Sequence, residues 1–335
     1  MTAGRSAAIL PPLVLFTAAL AWCVIVLGAY VRLSDAGLGC PDWPGCYGHL
    51  GAPHTVEQLQ AASLTFPRNP VHVGKAWKEM IHRYLAAALG VSVLTIFVLS
   101  RRRGAVSAPL PAALLGLVVF QAVLGMWTVT GLLKPAIVTA HLLGGMGTLA
   151  LLSWLGLRLL RPAQTGGAEE VRALRLRAGI GLALVAAQIA LGGWTSSNYA
   201  ALACGDSLNC RGEWFPPMDF TVAFELMREL GQRGDGGPLP LDALTAIHWT
   251  HRLGALVVSG YLLWLAAQSA RIPGLGRLRA GVVALLLAQI ALGAGMVGMG
   301  FPLAAAVAHN GVAALLLVSL VAFNFRLRVT EGGCS

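Results

Sequence analysis

Residues 27–48, LGAYVRLSDAGLGCPDWPGCYG, superpose without gaps on residues 191–212, LGGWTSSNYAALACGDSLNCRG, at an offset of 164. Both copies leave an apolar run through Leu-Gly and enter a polar stretch that holds the pattern CxDxxxCxG. Further along, His82-Arg83 falls on His251-Arg252 at an offset of 169. An offset of 168 brings Gln121 to Gly125 onto Gln289 to Gly293, and His141 onto His309. The chain reads as a tandem duplication, with an N-terminal half over 1–165 and a C-terminal half over 166–335.

The solvent of that duplicated unit follows from composition. Of the 335 residues 56% are hydrophobic and 11% charged, and the mean hydropathy is +0.71. A helix rises about 1.5 Å per residue, so crossing roughly 30 Å of hydrocarbon takes about 20 apolar residues. Eight such runs occur, near 11–31, 79–100, 109–130, 136–160, 175–195, 243–268, 278–300 and 302–326. The first ends in GAYVR, without a small-residue cleavage site, and its leader MTAGRSAAILPP lacks the Arg- and Ser-rich length of an organelle transit peptide. It is expected to be a retained first helix of a multi-pass protein in a bacterial cell (inner) membrane.

The fold class expected is all-α: a polytopic membrane protein of eight transmembrane helices, arranged as two tandem parallel-repeat four-helix bundles. Equivalent helices are four spans apart, so both halves run the same way through the membrane. Equivalent residues then share a depth, and a pseudo-twofold axis lies along the membrane normal.

Charge orients the spans. The termini, the connections after spans 2, 4 and 6, and the adjoining span ends hold 14 of the 24 Lys and Arg, among them Arg101, Arg102, Arg103, Arg277 and Arg279, but only 3 of the 14 acidic residues. Short basic loops stay in the cytoplasm, which puts both termini there. The net charge of +10 is therefore a topology signal. A nucleic-acid surface would interleave aromatic platforms with its basic residues, and these loops do not, so no nucleic acid is expected as a partner.

The two long loops, near 32–78 and 196–242, then face an oxidising compartment. Cys40 with Cys46 and Cys204 with Cys210 lie in them, and pairing within each loop is the simplest connectivity. Cys23 belongs to the first span and Cys334 to the cytoplasmic tail.

Of eight histidines, His49, His54 and His72 fall in the first long loop and His248 in span 6. His82, His141, His251 and His309 stand near the starts of spans 2, 4, 6 and 8, one pair per half, toward the outer surface. An ionisable residue inside a membrane is costly and usually faces the bundle interior. A single such histidine is as readily explained by hydrogen bonding between helices. Four at matching places point instead to haem held between two imidazoles from different helices. Small residues flank them: Gly144, Gly145 and Gly147 after His141, Gly254 after His251, and Gly311 after His309. Zinc fits less well, because no HExxH spacing or tight fourth ligand is present. Arg83 and Arg252 each follow a candidate ligand and have two open readings, contact with haem propionates or snorkelling to the interface.

The halves differ at one informative place. Glu79 precedes His82 by three residues, on one helical face, where the second half has His248 before His251. An i,i+4 pair with Arg83 is one explanation of Glu79. A carboxylate that accepts a proton or stabilises positive charge at a reacting ring is the other. The run Gly293-Ala-Gly295-Met-Val-Gly298 matches a dinucleotide-binding pattern, but inside an apolar span without a preceding strand it reads as helix-packing glycine.

Together RLSDAGLGCPDWPGCYG at 32–48, EMIHR at 79–83, TAHLLGG at 139–145, HWTHRLGA at 248–255 and AHNG at 308–311 resemble the haem A synthase family over nearly the whole chain. The resemblance implies oxidation of a ring methyl of haem O to a formyl group, by successive hydroxylations and loss of water, giving the haem A of cytochrome oxidases. It implies that His82 and His141 flank the substrate haem in the first half, that Glu79 is the catalytic carboxylate, and that His251 and His309 ligate the iron of a haem b cofactor in the second. It implies that the loop cysteines form disulfides or relay electrons. The partners it implies are haem O, membrane lipid and an electron acceptor, with haem O synthase, oxidase assembly factors or a second copy of the chain as further candidates. An apolar groove between helices suits the farnesyl chain of haem O. Two other functions remain open on the residues alone: a non-catalytic carrier of two haem b groups, and a haem transporter or chaperone.

Overall fold

The computed structural model describes residues 2–103, 109–160, 169–205 and 209–328. Among them, eight helices are long and apolar enough to cross a membrane. They are α1 (Thr2–Leu33), α3 (Val73–Arg103), α4 (Pro109–Thr130), α5 (Pro135–Leu160), α6 (Glu169–Ser197), α8 (Leu241–Gln268), α9 (Gly276–Gly298) and α10 (Leu303–Arg326). Two shorter helices, α2 (Val56–Thr65) and α7 (Phe220–Ala223), lie in the long loops. Cys334 lies outside the described residues.

The helices cover the hydrophobic runs to within two residues, and several start ahead of them: α1 by nine residues, and α3, which begins at Val73, and α6 by six. The added turn of α3, VGKAWK, is too polar for a hydropathy criterion, yet it propagates the helix into the loop layer, where it supports residues 39–40. The helix α2 has a sequence signature of its own. Thr55 accepts from the Gln58 backbone N–H, and the Gln58 side chain returns to the Thr55 backbone, a reciprocal cap at the start of Thr55-Val-Glu-Gln58.

α1, α5, α6 and α10 form the centre, with α5 against α10, α1 against α10 and α5 against α6. α3 packs on α1 and α4, and α8 on α6 and α9, so these four helices lie toward the outside. Lipid offers no hydrophobic drive for helix association, and close packing plus interhelical hydrogen bonds take its place. The Trp22 indole donates to the Gly311 carbonyl at 3.1 Å, joining α1 to α10 next to His309. At the opposite end Asn324 Nδ2 donates to the Ala178 carbonyl at 3.0 Å, joining α10 to α6.

The backbone repeats as the sequence does. Left-handed residues recur 164 apart at Asp35 and Tyr199, at Tyr47 and Arg211, and at Gly48 and Gly212. The isolated bridges Cys46 with His49 and Cys210 with Glu213 recur in the same way. Corresponding residues also touch. Tyr199 OH donates to Asp35 Oδ1 at 3.0 Å, and Arg32 Nη2 donates to the Ser196 carbonyl at 2.9 Å. Equivalent points meet only close to an axis that relates them, so these contacts agree with a pseudo-twofold between the first turns beyond α1 and α6.

Candidate functional site

Each of the four histidines rests against a glycine one helix away. A Cβ added at Gly28 would stand 2.9 Å from His82 Cε1, one at Gly125 3.4 Å from His141 Cε1, one at Gly192 3.1 Å from His251 Cε1, and one at Gly293 3.2 Å from His309 Cε1. The glycines lie on α1, α4, α6 and α9, and the histidines on α3, α5, α8 and α10. A side chain at Gly28, Gly192 or Gly293 would press on an imidazole, so those ring positions depend on its absence, and at Gly125 it would come into van der Waals contact with the ring.

Three of the rings are also held by a glutamine one turn before that glycine. Gln188 Nε2 lies 3.1 Å from His251 Nδ1 and donates to the His251 carbonyl at 2.9 Å. Gln289 Nε2 lies 3.0 Å from His309 Nε2. Oriented to satisfy both of its ends, Gln121 donates to His141 Nδ1 at 2.9 Å and to the His141 carbonyl at 3.0 Å, and accepts from the Gly145 backbone N–H at 3.2 Å. The match of Gln121-Ala-Val-Leu-Gly125 to Gln289-Ile-Ala-Leu-Gly293, already part of the duplication, has a third copy in Gln188-Ile-Ala-Leu-Gly192, so the sequence signal for these contacts is a repeated QxxLG. The fourth copy, Val24-Ile-Val-Leu-Gly28, keeps the glycine and lacks the amide.

The histidines come together as pairs within halves: His82 interacts electrostatically with His141, and His251 with His309. Among the described residues no three His, Cys, Asp or Glu side chains converge on one point. His82 Nδ1 and His309 Nδ1 are buried without a hydrogen bond, each a burden of about 1–3 kcal/mol that a bond to metal would relieve. Two imidazoles from different helices, backed by glycine and with unsatisfied nitrogens, form a donor set that fits haem iron.

Glu79 stands one turn before His82 on α3, 4% exposed. Its Oε1 is 2.5 Å from Arg83 Nη2, and its Oε2 accepts from the Cys40 backbone N–H at 3.0 Å. The i,i+4 pair is formed, and the same carboxylate binds the disulfide loop. Arg83 Nη1 donates onward to the carbonyls of Asp42, at 3.0 Å, Pro44, at 3.2 Å, and Gly45. The guanidinium therefore knots Glu79 to residues 42–45. Gly39 lets the loop lie on α3: a Cβ there would stand 2.6 Å from the Lys75 carbonyl carbon.

Within the loop, Cys40 is bonded to Cys46, and Asp42 accepts from the Tyr47 and Gly48 backbone N–H groups at 2.6 and 2.8 Å. Burial pushes the Tyr47 phenol up, and the Asp42 and Glu79 carboxylates add to the shift. In the second half Cys204 is bonded to Cys210. There the place of the carboxylate–guanidinium pair is taken by His248 and Arg252, with Nε donating to Nε2 at 3.2 Å. His49, His54 and His72 stay in the first loop, outside both pairs.

The model of the family described as cytochrome oxidase assembly protein matches residues 12–321. The chain belongs to that family. Among relatives in it, a protein of Shewanella oneidensis named heme A synthase is 44% identical over 305 residues, covering 91% of this chain and 92% of its own. Proteins of the same name from Nitrosospira multiformis and Caulobacter vibrioides are 28% and 27% identical, each over more than nine-tenths of both chains. The matched region of the cytochrome oxidase assembly family runs from α1 to α10 and takes in both histidine pairs, Glu79 and both disulfides.

Proposed function

We propose that the chain is a haem A synthase, an oxidoreductase that converts a ring methyl of haem O to the formyl of haem A. The observation that carries this reading is the unequal surroundings of two equivalent histidine pairs, one with a buried carboxylate beside it and one with His248 in its place. A carrier of two identical haems needs no such difference. A carboxylate beside one ring can take up a proton and steady positive charge as the methyl is oxidised.

In this reading His82 and His141 hold the substrate haem in the first half. His251 and His309 hold a haem b cofactor in the second, which supplies one-electron chemistry when bound. Glu79 is the catalytic carboxylate, aimed by Arg83 and by the Cys40 N–H. Arg83 and Arg252 bring cationic charge next to each pair, where haem propionates need it. In the same reading both termini lie in the cytoplasm of a bacterial cell and both disulfide loops outside it, which the basic short loops support. Partners are haem O, lipid, an electron acceptor, and the synthase or assembly factors that deliver and collect the haems.

The test is the mass of haems extracted from purified protein. The wild type is expected to yield haem b together with haem O or haem A, and Glu79→Gln to yield haem b with haem O and no haem A. Wild-type levels of haem A from Glu79→Gln would remove the carboxylate from the chemistry. Recovery of haem b alone from the wild type would favour a carrier.

A further inference from the structure

At the end of the bundle opposite the histidine pairs, guanidiniums from three helices draw together. Arg172 and Arg175 occupy the first turns of the span that begins at Val171, Arg158 the last turn of α5, and Arg328 follows α10 by two residues. Arg328 stacks on Trp154, 5.2 Å from the ring centre, and on Phe325 at 4.4 Å. Burial holds the Arg328 guanidinium below its ordinary pKa, and the Arg158 and Arg175 charges add to the shift. Arg177, off that face of α6, lies 5.4 Å over the Trp264 ring. Tryptophan at two places on this level marks the boundary between hydrocarbon and headgroups. Arginines that only orient the spans need not converge, since the bias toward positive loops counts charges and not their positions. Here α5 of one half and α6 and α10 of the other bring theirs to one place. Even with Glu169 and Glu170 at the start of α6, these four arginines leave an excess of positive charge.

Beyond the charges the same face of α6 is apolar. Arg172, Arg175, Leu176, Gly179, Ile180 and Ala183 follow one another at helical spacing and line a groove whose far wall is Asn324 of α10. Leu176 is 70% exposed and Ile180 43%, and a Cβ at Gly179 would meet nothing within 4 Å. From Arg175 to Ala183 the groove runs about 12 Å toward the bilayer centre, at about 1.5 Å per residue. We propose that this groove holds one anionic phospholipid, its phosphate among Arg172, Arg175 and Arg328 and an acyl chain along Leu176, Gly179 and Ile180. The guanidiniums select an anion, and the apolar floor continuous with them selects one that carries a hydrocarbon chain. A second copy of this chain docked symmetrically through the same face would set like charges against each other. The bound lipid offsets repulsion between the halves, because Arg158 belongs to the first and Arg175 and Arg328 to the second.

The experiment titrates the purified full-length protein in detergent with phosphatidylglycerol and, separately, with phosphatidylcholine, and counts bound lipid by native mass spectrometry. The wild type is expected to retain one phosphatidylglycerol in preference to phosphatidylcholine and to unfold at a higher temperature with it. Arg172→Gln with Arg175→Gln should weaken phosphatidylglycerol binding about thirtyfold, at about fivefold per charge. Gly179→Leu, which fills the groove where the backbone leaves room, should abolish retention with every charge in place. Arg101→Gln with Arg277→Gln, the same loss of charge on the outer helices α3 and α9, should leave retention unchanged. Equal retention of the two lipids by the wild type would overturn the proposal. So would equal losses in the two double-arginine variants, which would reduce the effect to overall charge, or full retention by Gly179→Leu. Displacement of the lipid by millimolar inorganic phosphate would overturn it in favour of a site for free anions.

Discussion

The charge of Glu79 is affordable inside the bundle only because two groups meet it: the Arg83 guanidinium, itself tied to the loop carbonyls, and the Cys40 N–H. Removing one partner of a buried ion pair costs about 3–5 kcal/mol, since the other charge is stranded. Arg83→Gln is therefore expected to lower the thermal unfolding temperature in detergent and to depress haem A formation at least as far as mispositioning of Glu79 allows. A protein of unchanged stability would show that the pair contributes nothing net. Gly28 makes a separate demand, because a side chain there meets the His82 ring within 2.9 Å. Gly28→Val should displace that ring and empty the first haem site while haem b is retained, which extraction and weighing of the haems will read directly.

The two disulfide loops share a backbone pattern but differ in what they touch. Closing a loop as short as that between Cys40 and Cys46 is worth about 2 kcal/mol by restriction of the unfolded chain. Replacing both cysteines by serine should cost that much and should also lower haem A formation, because the Cys40 N–H holds Glu79. The same replacement at Cys204 and Cys210 should cost a similar stability with less effect on turnover. Tyr47 provides a pH test of the first loop. Its phenol donates to the Pro70 carbonyl at 3.2 Å, and burial with two nearby carboxylates raises its pKa in the folded loop. The folded loop thus keeps a proton that the unfolded chain gives up above about pH 10. Its stabilisation is whole below that value and is lost as pH rises beyond it. Thermal unfolding between pH 8 and 11 should show this slope in the wild type and lose it in Tyr47→Phe.

At the scale of the molecule, the centre is built from helices of both halves, and Arg32, Asp35, Ser196 and Tyr199 join them one repeat apart. Chains 1–165 and 166–335 expressed together are expected to co-purify, and Arg32→Ala to weaken that recovery. Separate behaviour of the two pieces in detergent would show that the covalent link holds them. Eight spans, their helical state, the duplication and the candidate histidines were legible in the chain, because the length of an apolar run and a repeated motif are local properties set by the thickness of hydrocarbon and by backbone hydrogen bonding. The start of α3 at Val73 was not, since its polar first turn is stabilised by the loop lying on it and not by lipid. The Gln188 contact was not read either, although QxxLG stands three times in the sequence, because a motif does not say which neighbouring ring an amide will reach. The sequence by itself determined which residues the membrane must accommodate, and that Glu79 and His248 differ. Only the tertiary structure decided that Glu79 is bound to the Cys40 loop and that His82 alone lacks an amide, because those facts depend on the rotation of each helix about its axis, which packing between helices selects.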